Sequence, residues 1–304
     1  MDTRGTGAAT PDVLRYTAFS SDPDGGNPAG VVLDASGLDE ARMLAVAAEV
    51  GYSETAFLTP PPPGLDAAPG RGFTVRYFSP EAEVPFCGHA TVAAAVALAE
   101  RDGPGELVFA TPAGTVPVTV AGSAGALRAT LTGVEPYVAE IGGEDLAEAL
   151  AALGWHAGEL DPELPARIAF AGARHLVLAA ATRERLAALD YDFGRLKALM
   201  LRLDLTTLQL VWREPQSRAA PGTVPGTVFH VRDPFPVGGV VEDPATGAAA
   251  AAFGGYLRAL GLITAPAVLT LHQGHDMGRP GLLEVELRPD DPRVRVSGAA
   301  ARIG

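Results

Sequence analysis

The sequence has a single cysteine, Cys87, in 304 residues. No intrachain disulfide can form, and the composition fits a reducing compartment, so a cytoplasmic location is expected. Lysine is equally scarce, with Lys197 alone. It lies in YDFGRLKALMLRL, where charges alternate with apolar residues as on a solvated helix face, so no Schiff-base lysine for pyridoxal phosphate is expected. Lys and Arg total 23 against 36 Asp and Glu, for a net charge of −13. That balance speaks against nucleic acid or an anionic membrane as partner. Long hydrophobic runs are missing: the longest small-apolar stretch, TGAAAAAFGGYLRAL, is short and interrupted by glycine, so no membrane span is expected. The opening MDTRGTGAAT has no apolar core, and no signal peptide is expected. The six histidines are not expected to cluster as metal ligands. HQGH (His272, His275) has a spacing of three with no further ligand nearby, and no metal is expected. No G-x-G-x-x-G follows a strand, and Walker and G-x-S-x-G motifs are absent. GGNPAG (Gly25 to Gly30) reads as a turn because of its proline and its spacing.

The length favours two domains, and 47% hydrophobic with 19% charged residues is ordinary for a globular chain. DVLRYTAFS, AGVVLDA, SETAFLT and FTVRYFS read as strands, and LDEARMLAVAAEVG as an amphipathic helix closed by Gly51. GELVFATPAGTVPVTVAG and ALRATLTGV read as consecutive antiparallel strands. EDLAEALAALG and two stretches of TRERLAALDYDFGRLKALMLRL read as helices. RHLVLAAA is a strand, TTLQLVWRE and TVFHVRDP are strands flanking a PQSRAAPGTVPG loop, and AVLTLHQG, LLEVELRP and RVRVSGAA close the chain. Two Ala-rich segments, after Gly88 and after Gly247, carry few charges, as helices buried all round do. The expected class is α+β, with two similar domains, each a curved, mostly antiparallel sheet wrapped around a central helix. The expected boundaries are about 1–120, completed by a C-terminal strand over about 285–304, and about 121–284.

Two stretches repeat one pattern. Glu83-Val-Pro85-Phe-Cys87-Gly88-His89 aligns with Glu242-Asp243-Pro244-Ala-Thr246-Gly247-Ala248. Each glycine permits a tight bend, and the residues after it open a helix whose first N–H groups lack intrahelical partners. Such an end suits a carboxylate or an oxyanion, and two of them could face each other across a cleft. The plain alternative is that Gly-Ala turns only pack helices closely; the repetition, with acid-base residues beside both turns, favours a shared site. The acid-base candidates are Glu54, His89, Asp243 and the Cys87 thiol. Glu54 is either a simple loop carboxylate or, if partly buried, a general acid/base. His89 at a helix start is disfavoured as a cation, and could cap the turn or handle a proton. Cys87 reads as a small buried hydrophobe rather than a reactive thiol.

At these residues the chain resembles the phenazine-biosynthesis PhzF-like family, related in fold to diaminopimelate epimerase and proline racemase. The matching stretches span nearly the whole chain: GGNPAGVVLDA, SETAFL, RYFSPEAEVPFCGHAT, VEDPATGAAAAAFGGYL, QGHDMGRPG and VRVSGAA. The resemblance implies an isomerase with its active site between two halves, a homodimer, no cofactor, and a small carboxylate-bearing substrate, in the phenazine enzyme a dihydro-hydroxyanthranilate. It implies that Glu54 moves a proton between substrate carbons, that His89 and Asp243 orient the substrate and handle protons, and that Gly88, His89, Gly247 and Ala248 bind its carboxylate. Gly281 in GRPG stands where a serine is common. The related racemases use two thiols, which one cysteine cannot supply. An epimerase pairing Cys87 with Asp243, or a binding module without catalysis, are the alternatives.

Overall fold

The computed structural model describes residues 11–215 and 227–304. The opening decapeptide and nearly all of the PQSRAAPGTVPG loop reading lie outside the described residues. The chain runs β1 (Leu14–Ala18), β2 (Asn27–Val32), α1 (Glu40–Val50), β3 (Glu54–Thr59), β4 (Gly72–Phe78), β5 (Glu83–Val84) and α2 (Gly88–Asp102). It continues through β6 (Gly105–Thr111), β7 (Gly114–Ala121), β8 (Arg128–Thr132), β9 (Tyr137–Ala139), α3 (Gly143–Leu153), β10 (Arg167–Phe170) and β11 (Arg174–Ala179). Then come α4 (Arg183–Ala187), α5 (Phe193–Leu203), β12 (Thr207–Arg213), β13 (Val228–Pro234), β14 (Glu242–Asp243) and α6 (Gly247–Ala259). The last strands are β15 (Ala267–Gln273), β16 (Gly281–Leu287) and β17 (Val294–Arg302). The protein is α+β, and the pairing is mostly antiparallel, with β2–β3, β4–β6, β11–β12 and β13–β15 parallel.

Local chemistry sets the elements. Asp39 caps α1 by accepting from the Arg42 N–H at 2.8 Å, and Gly51 ends it in the left-handed region at φ 73°. GGNPAG differs from its reading as a turn. Asn27 and Pro28 already belong to β2, opposite Ala18 and Thr17 of β1. Pro28 donates nothing to a ladder, so it reads as a strand breaker, but strand starts tolerate it. β9 and β10, too short and irregular for the sequence pattern, pair with each other.

Strand pairing closes a ring. β1 pairs with β2, β2 with β3, β3 with β4, β4 with β6, β6 with β7, and β7 with β8. β8 then pairs with β17, which returns to β1 through Tyr16 and Arg302. This ring surrounds α2, whose residues from His89 to Ala99 are all buried. The first residues of β17 also pair with β16, and from there the sheet continues through β15, β13, β12, β11 and β10 to β9. These strands curve over α6. Small residues let them approach: a Cβ at Gly254 would lie 2.7 Å from Val285, and one at Gly255 would lie 2.5 Å from Pro136. The residues of α2 and α6 share one contiguous apolar core.

The repeated acids have one job. Glu83 takes a two-pronged bond from Arg76, with Nε 2.7 Å from one carboxylate oxygen and a terminal nitrogen 2.6 Å from the other. Glu242 takes the same bond from Arg232, at 3.0 and 2.5 Å. Each arginine lies on the strand beside the short strand that carries its glutamate. The first pair is about 28% exposed, the second 10% and 3%. Removing one partner of a buried pair strands the other charge, at a cost of about 3–5 kcal/mol, whereas an exposed pair contributes about 1 kcal/mol or less. Glu242→Ala is therefore expected to lower stability in urea denaturation far more than Glu83→Ala. Equal losses would show that the buried clasp holds nothing the exposed one does not.

Candidate active site

The two helix starts meet. A Cβ on Gly88 would lie 3.9 Å from the Cα of Gly247. Neither N-cap side chain closes over its helix, since Cys87 and Thr246 make no capping bond. The first-turn N–H groups of α2 and α6 thus have no intrahelical partner, and both carry the positive end of a helix dipole. Phe19 covers the junction: a Cβ on Gly247 would lie 3.3 Å from its ring. Phe19 is held at φ 62°, unusual for a bulky side chain, by bonds to Ala299 and from Leu282, both 2.7 Å. Gly281 borders the same corner. A Cβ there would meet nothing closer than 3.4 Å, so a serine would fit.

The ionisable residues form a chain beside this junction. Glu54, at the start of β3, places a carboxylate oxygen 3.4 Å from His89 Nε2, and the Ser53 hydroxyl is 3.3 Å from the same nitrogen. On the other side of the ring, His89 Nδ1 is 3.2 Å from the Asn27 amide nitrogen and 3.3 Å from Cys87 Sγ. An amide nitrogen can only donate. The thiol also stays protonated, because burial, and then the Glu54 charge, push its pKa well up. Nδ1 therefore accepts, and the ring proton is assigned to Nε2, facing Glu54 and Ser53. The two amide hydrogens of Asn27 are shared among three acceptors: His89 Nδ1, Asp243 Oδ1 at 2.8 Å and the Ala245 carbonyl at 3.0 Å. So Glu54, His89 and Asp243 are brought together, from β3, α2 and β14.

Asp243 is locked on its other oxygen. Gln273 donates through its amide nitrogen to the Asp243 carbonyl at 2.9 Å and to Thr246 Oγ1 at 3.0 Å. The Thr246 hydroxyl must then donate onward to Asp243 Oδ2, at 2.6 Å. Both carboxylate oxygens accept, an arrangement built for the ionised form, while burial pushes the pKa up to about 6. Opposite Asp243 in register, and fully buried, lies Asp233. Burial drives its pKa well above the usual carboxylate range, so it keeps its proton beside Asp243. The Gln209 amide, with its nitrogen toward this acid, reaches its oxygens at 2.7 and 3.0 Å.

Asn27, Ser53, Asp233, Gln209 and Gln273 are absent from the sequence-based candidates. Asn27 hid in a segment read as a turn, and Gln273 and Asp233 lie at strand ends among hydrophobic residues. A polar residue inside an apolar strand was the only local signal available. Glu54, Cys87 and His89 also bring ligand atoms within 4.8 Å of one another. A metal there would need the thiolate, which burial and the neighbouring carboxylates disfavour.

The family model for phenazine biosynthesis-like proteins (PhzC-PhzF) matches residues 16–303. The chain belongs to that family. It is 33% identical over 299 residues to the uncharacterized isomerase YddE of Escherichia coli O157:H7, covering 95% of each chain. It is 31% identical over 291 residues to the trans-2,3-dihydro-3-hydroxyanthranilate isomerase of Pseudomonas fluorescens, covering 94% of this chain and 95% of the relative. In fold it is similar to the PhzF-family protein of Bacillus anthracis, with a TM-score of 0.82 at 24% identity over 96% of each chain. It is also similar in fold to a probable proline racemase from Agrobacterium radiobacter K84, with a TM-score of 0.61 at 14% identity, over 96% of this chain and 91% of the other. The PhzF-like family is one of isomerases, and this chain is an isomerase.

A second set of ionisable residues lies elsewhere on the sheet. The parallel pairing of β13 with β15 sets His230 beside His272, and His275 follows in the next turn. Burial lowers the pKa of all three rings, with neighbouring histidines adding to the lowering at His230, to about 4 in all, and at His272.

The raised pKa of Asp243 sets a pH expectation. Its two donors require the ionised form, so kcat/KM is expected to rise with pH through about 6 and then level off. Because the folded pKa exceeds the unfolded one, the folded protein binds the extra proton between about pH 4 and 6. The stabilising contribution of Asp243 is therefore lost as pH rises through that window. Asp243→Asn is expected to remove both the limb in the pH–rate profile and this part of the stability slope. Retention of the limb in the variant assigns it to another group.

Proposed function

We propose that the protein is a cofactor-independent isomerase that moves a proton between carbons of a small carboxylate-bearing substrate. The observation that carries this reading is the chain of polar contacts Glu54–His89–Asn27–Asp243 beside two uncapped helix starts. The substrate carboxylate lies between the first-turn N–H groups at Gly88, His89, Gly247 and Ala248, where the dipoles of both helices favour negative charge. Glu54 takes a proton from one carbon, the electron pair shifts along the unsaturated framework, and Glu54 returns the proton to a second carbon. One C–H bond breaks, one forms, and the enzyme ends as it began, with no oxidant or reductant consumed. The Nε2 proton of His89 holds the Glu54 carboxylate in place and follows its change of charge, while Asp243, fixed by Asn27 and Thr246, anchors the far end of the relay. The Pseudomonas fluorescens relative favours a cyclic, unsaturated hydroxy amino acid of the dihydro-hydroxyanthranilate kind.

The organisation into halves of about 1–120 with 285–304, and 121–284, belongs to the same proposal. It is supported by the two helices, each surrounded by its own run of strands. A cytoplasmic homodimer working without a cofactor completes it.

Positioned acid–base catalysis contributes about 10²–10⁴-fold in rate. Glu54→Gln is expected to lose about that much, measured with trans-2,3-dihydro-3-hydroxyanthranilate both as turnover and as incorporation of solvent deuterium. Exchange at the parent rate in the folded variant would overturn the assignment of Glu54. The competing reading, an epimerase using Cys87 and Asp243, needs a thiolate base in a place where burial keeps the thiol protonated. Cys87→Ala is expected to keep activity within about tenfold of the parent, because a buried, protonated thiol takes no proton from carbon. Abolished turnover in a folded Cys87→Ala protein would favour the epimerase instead.

A further inference from the structure

The loop between β1 and β2 is gripped by a side chain from the far end of the sequence. Arg279, half-buried in the turn from β15 to β16, donates through Nε to the Gly26 carbonyl at 3.0 Å. Through a terminal nitrogen it donates to the Gly25 carbonyl at 2.8 Å. The planar fork of the guanidinium thus spans two successive carbonyls. The Thr17 hydroxyl donates to the Gly25 carbonyl as well. The Gly26 N–H returns a bond to the Pro280 carbonyl at 3.1 Å, so loop and turn hold each other from both sides. No substituent fits between them. A Cβ on Gly25 would lie 2.5 Å from the Pro280 oxygen, and one on Gly26, at φ 53°, would lie 2.2 Å from the Ala18 carbonyl. The turn is also braced against the second of the repeated stretches. The Arg279 N–H donates to the Gly274 carbonyl at 3.0 Å, and a Cβ on Gly274 would lie 2.7 Å from the Pro244 oxygen.

The residue after Gly26 is Asn27, whose amide bridges His89 Nδ1 on α2 and Asp243 Oδ1 on β14. The Gly26 carbonyl lies in the peptide plane that begins Asn27, so a bond that holds its oxygen sets the direction in which Asn27 leaves the loop. We propose that Arg279 is a positioning residue of the isomerase, orienting the Gly26–Asn27 peptide so that the Asn27 amide reaches His89 and Asp243 at once. The inference rests on the reading of Glu54, His89 and Asp243 as the reacting chain. A lysine at this position lacks the second donor in fixed geometry. The helix starts that receive the substrate carboxylate are set by the Arg76 and Arg232 clasps instead. Substrate binding and proton transfer therefore respond differently to the loss of Arg279.

The test uses the full-length protein and Arg279→Met, which keeps the apolar stem and removes both donors. Circular dichroism confirms that each variant is folded. With trans-2,3-dihydro-3-hydroxyanthranilate, kcat is expected to fall about 10–100-fold while KM stays within about twofold of the parent. The acid limb of kcat/KM is expected to move to higher pH, because the Asn27 donation that favours ionised Asp243 weakens. His89, Glu54, Cys87 and Asp233, the other titratable groups that face Asp243, are unsubstituted. Asn27→Ala is expected to lose at least as much, and the double variant no more than Asn27→Ala alone. The ring-nitrogen resonances of His89, assigned by difference against His89→Gln, are expected to shift in Arg279→Met, and they need no turnover to be read. Parent kcat and an unmoved limb in folded Arg279→Met would overturn the proposal, as would a double variant whose losses multiply, or unshifted His89 resonances. Shifted resonances in a protein that does not turn over this substrate would support the positioning role and overturn the substrate reading alone.

Discussion

The two-pronged bond between an arginine and a glutamate, made once at Arg76–Glu83 and again at Arg232–Glu242, is the constraint on which the site depends. Each clasp fixes a two-residue strand against a longer one, and the chain leaves that strand through a proline and a glycine directly into a buried helix. The direction of the helix start is therefore set by the clasp, not by a capping side chain. Without a cap, the first N–H groups stay open toward the junction of Gly88 and Gly247. A planar guanidinium meets a carboxylate in only one good geometry, which makes this a directional joint where a lysine would give a loose one. Each arginine also reaches a helix outside the core: Arg76 bonds Glu40 at the start of α1, and Arg232 bonds the Ala187 carbonyl at the end of α4.

The two copies differ where chemistry requires it. After Glu83 comes an apolar valine, and after Glu242 comes Asp243. After Gly88 comes His89, and after Gly247 comes Ala248. One turn supplies the ring, the other the acid, and Asn27 from β2 joins them. Three carboxyl groups and one ion pair crowd this region, and the protein manages the charge unevenly. Glu242 is neutralised by Arg232, Asp233 is kept protonated by burial, and Asp243 is left near the point of ionisation. Uneven environments of this kind separate the roles of identical functional groups.

The α+β class, the amphipathic helices and the two buried Ala-rich helices were legible in the sequence because each rests on local periodicity. The candidates Glu54, His89 and Asp243, which the structure brings close together, came from the wording of the two turns and the family resemblance. The turn glutamates were visible, but their purpose was not, since Arg76 and Arg232 become their partners only after strands pair. Asn27 was masked by a neighbouring proline that suggested a turn. Gln273, Asp233 and the meeting of His230 with His272 depend on strand register, which one sequence does not display.

The placement of the groups also bears on stereochemistry. Racemisation needs a base on each face of one carbon. Here the only thiol is buried and kept protonated, 3.3 Å from His89 Nδ1, and Asp243 is held on both oxygens by Asn27 and Thr246. Neither is free to take a proton from carbon without breaking the network that orders it. Glu54 is differently placed: one of its carboxylate oxygens lies 3.4 Å from a histidine nitrogen, and its side chain keeps 16% exposure. In the proposed reaction a single carboxylate both removes and returns the proton, and so works on one face of the substrate. The geometry of the network thus favours relocation of a hydrogen along a molecule over inversion at a centre.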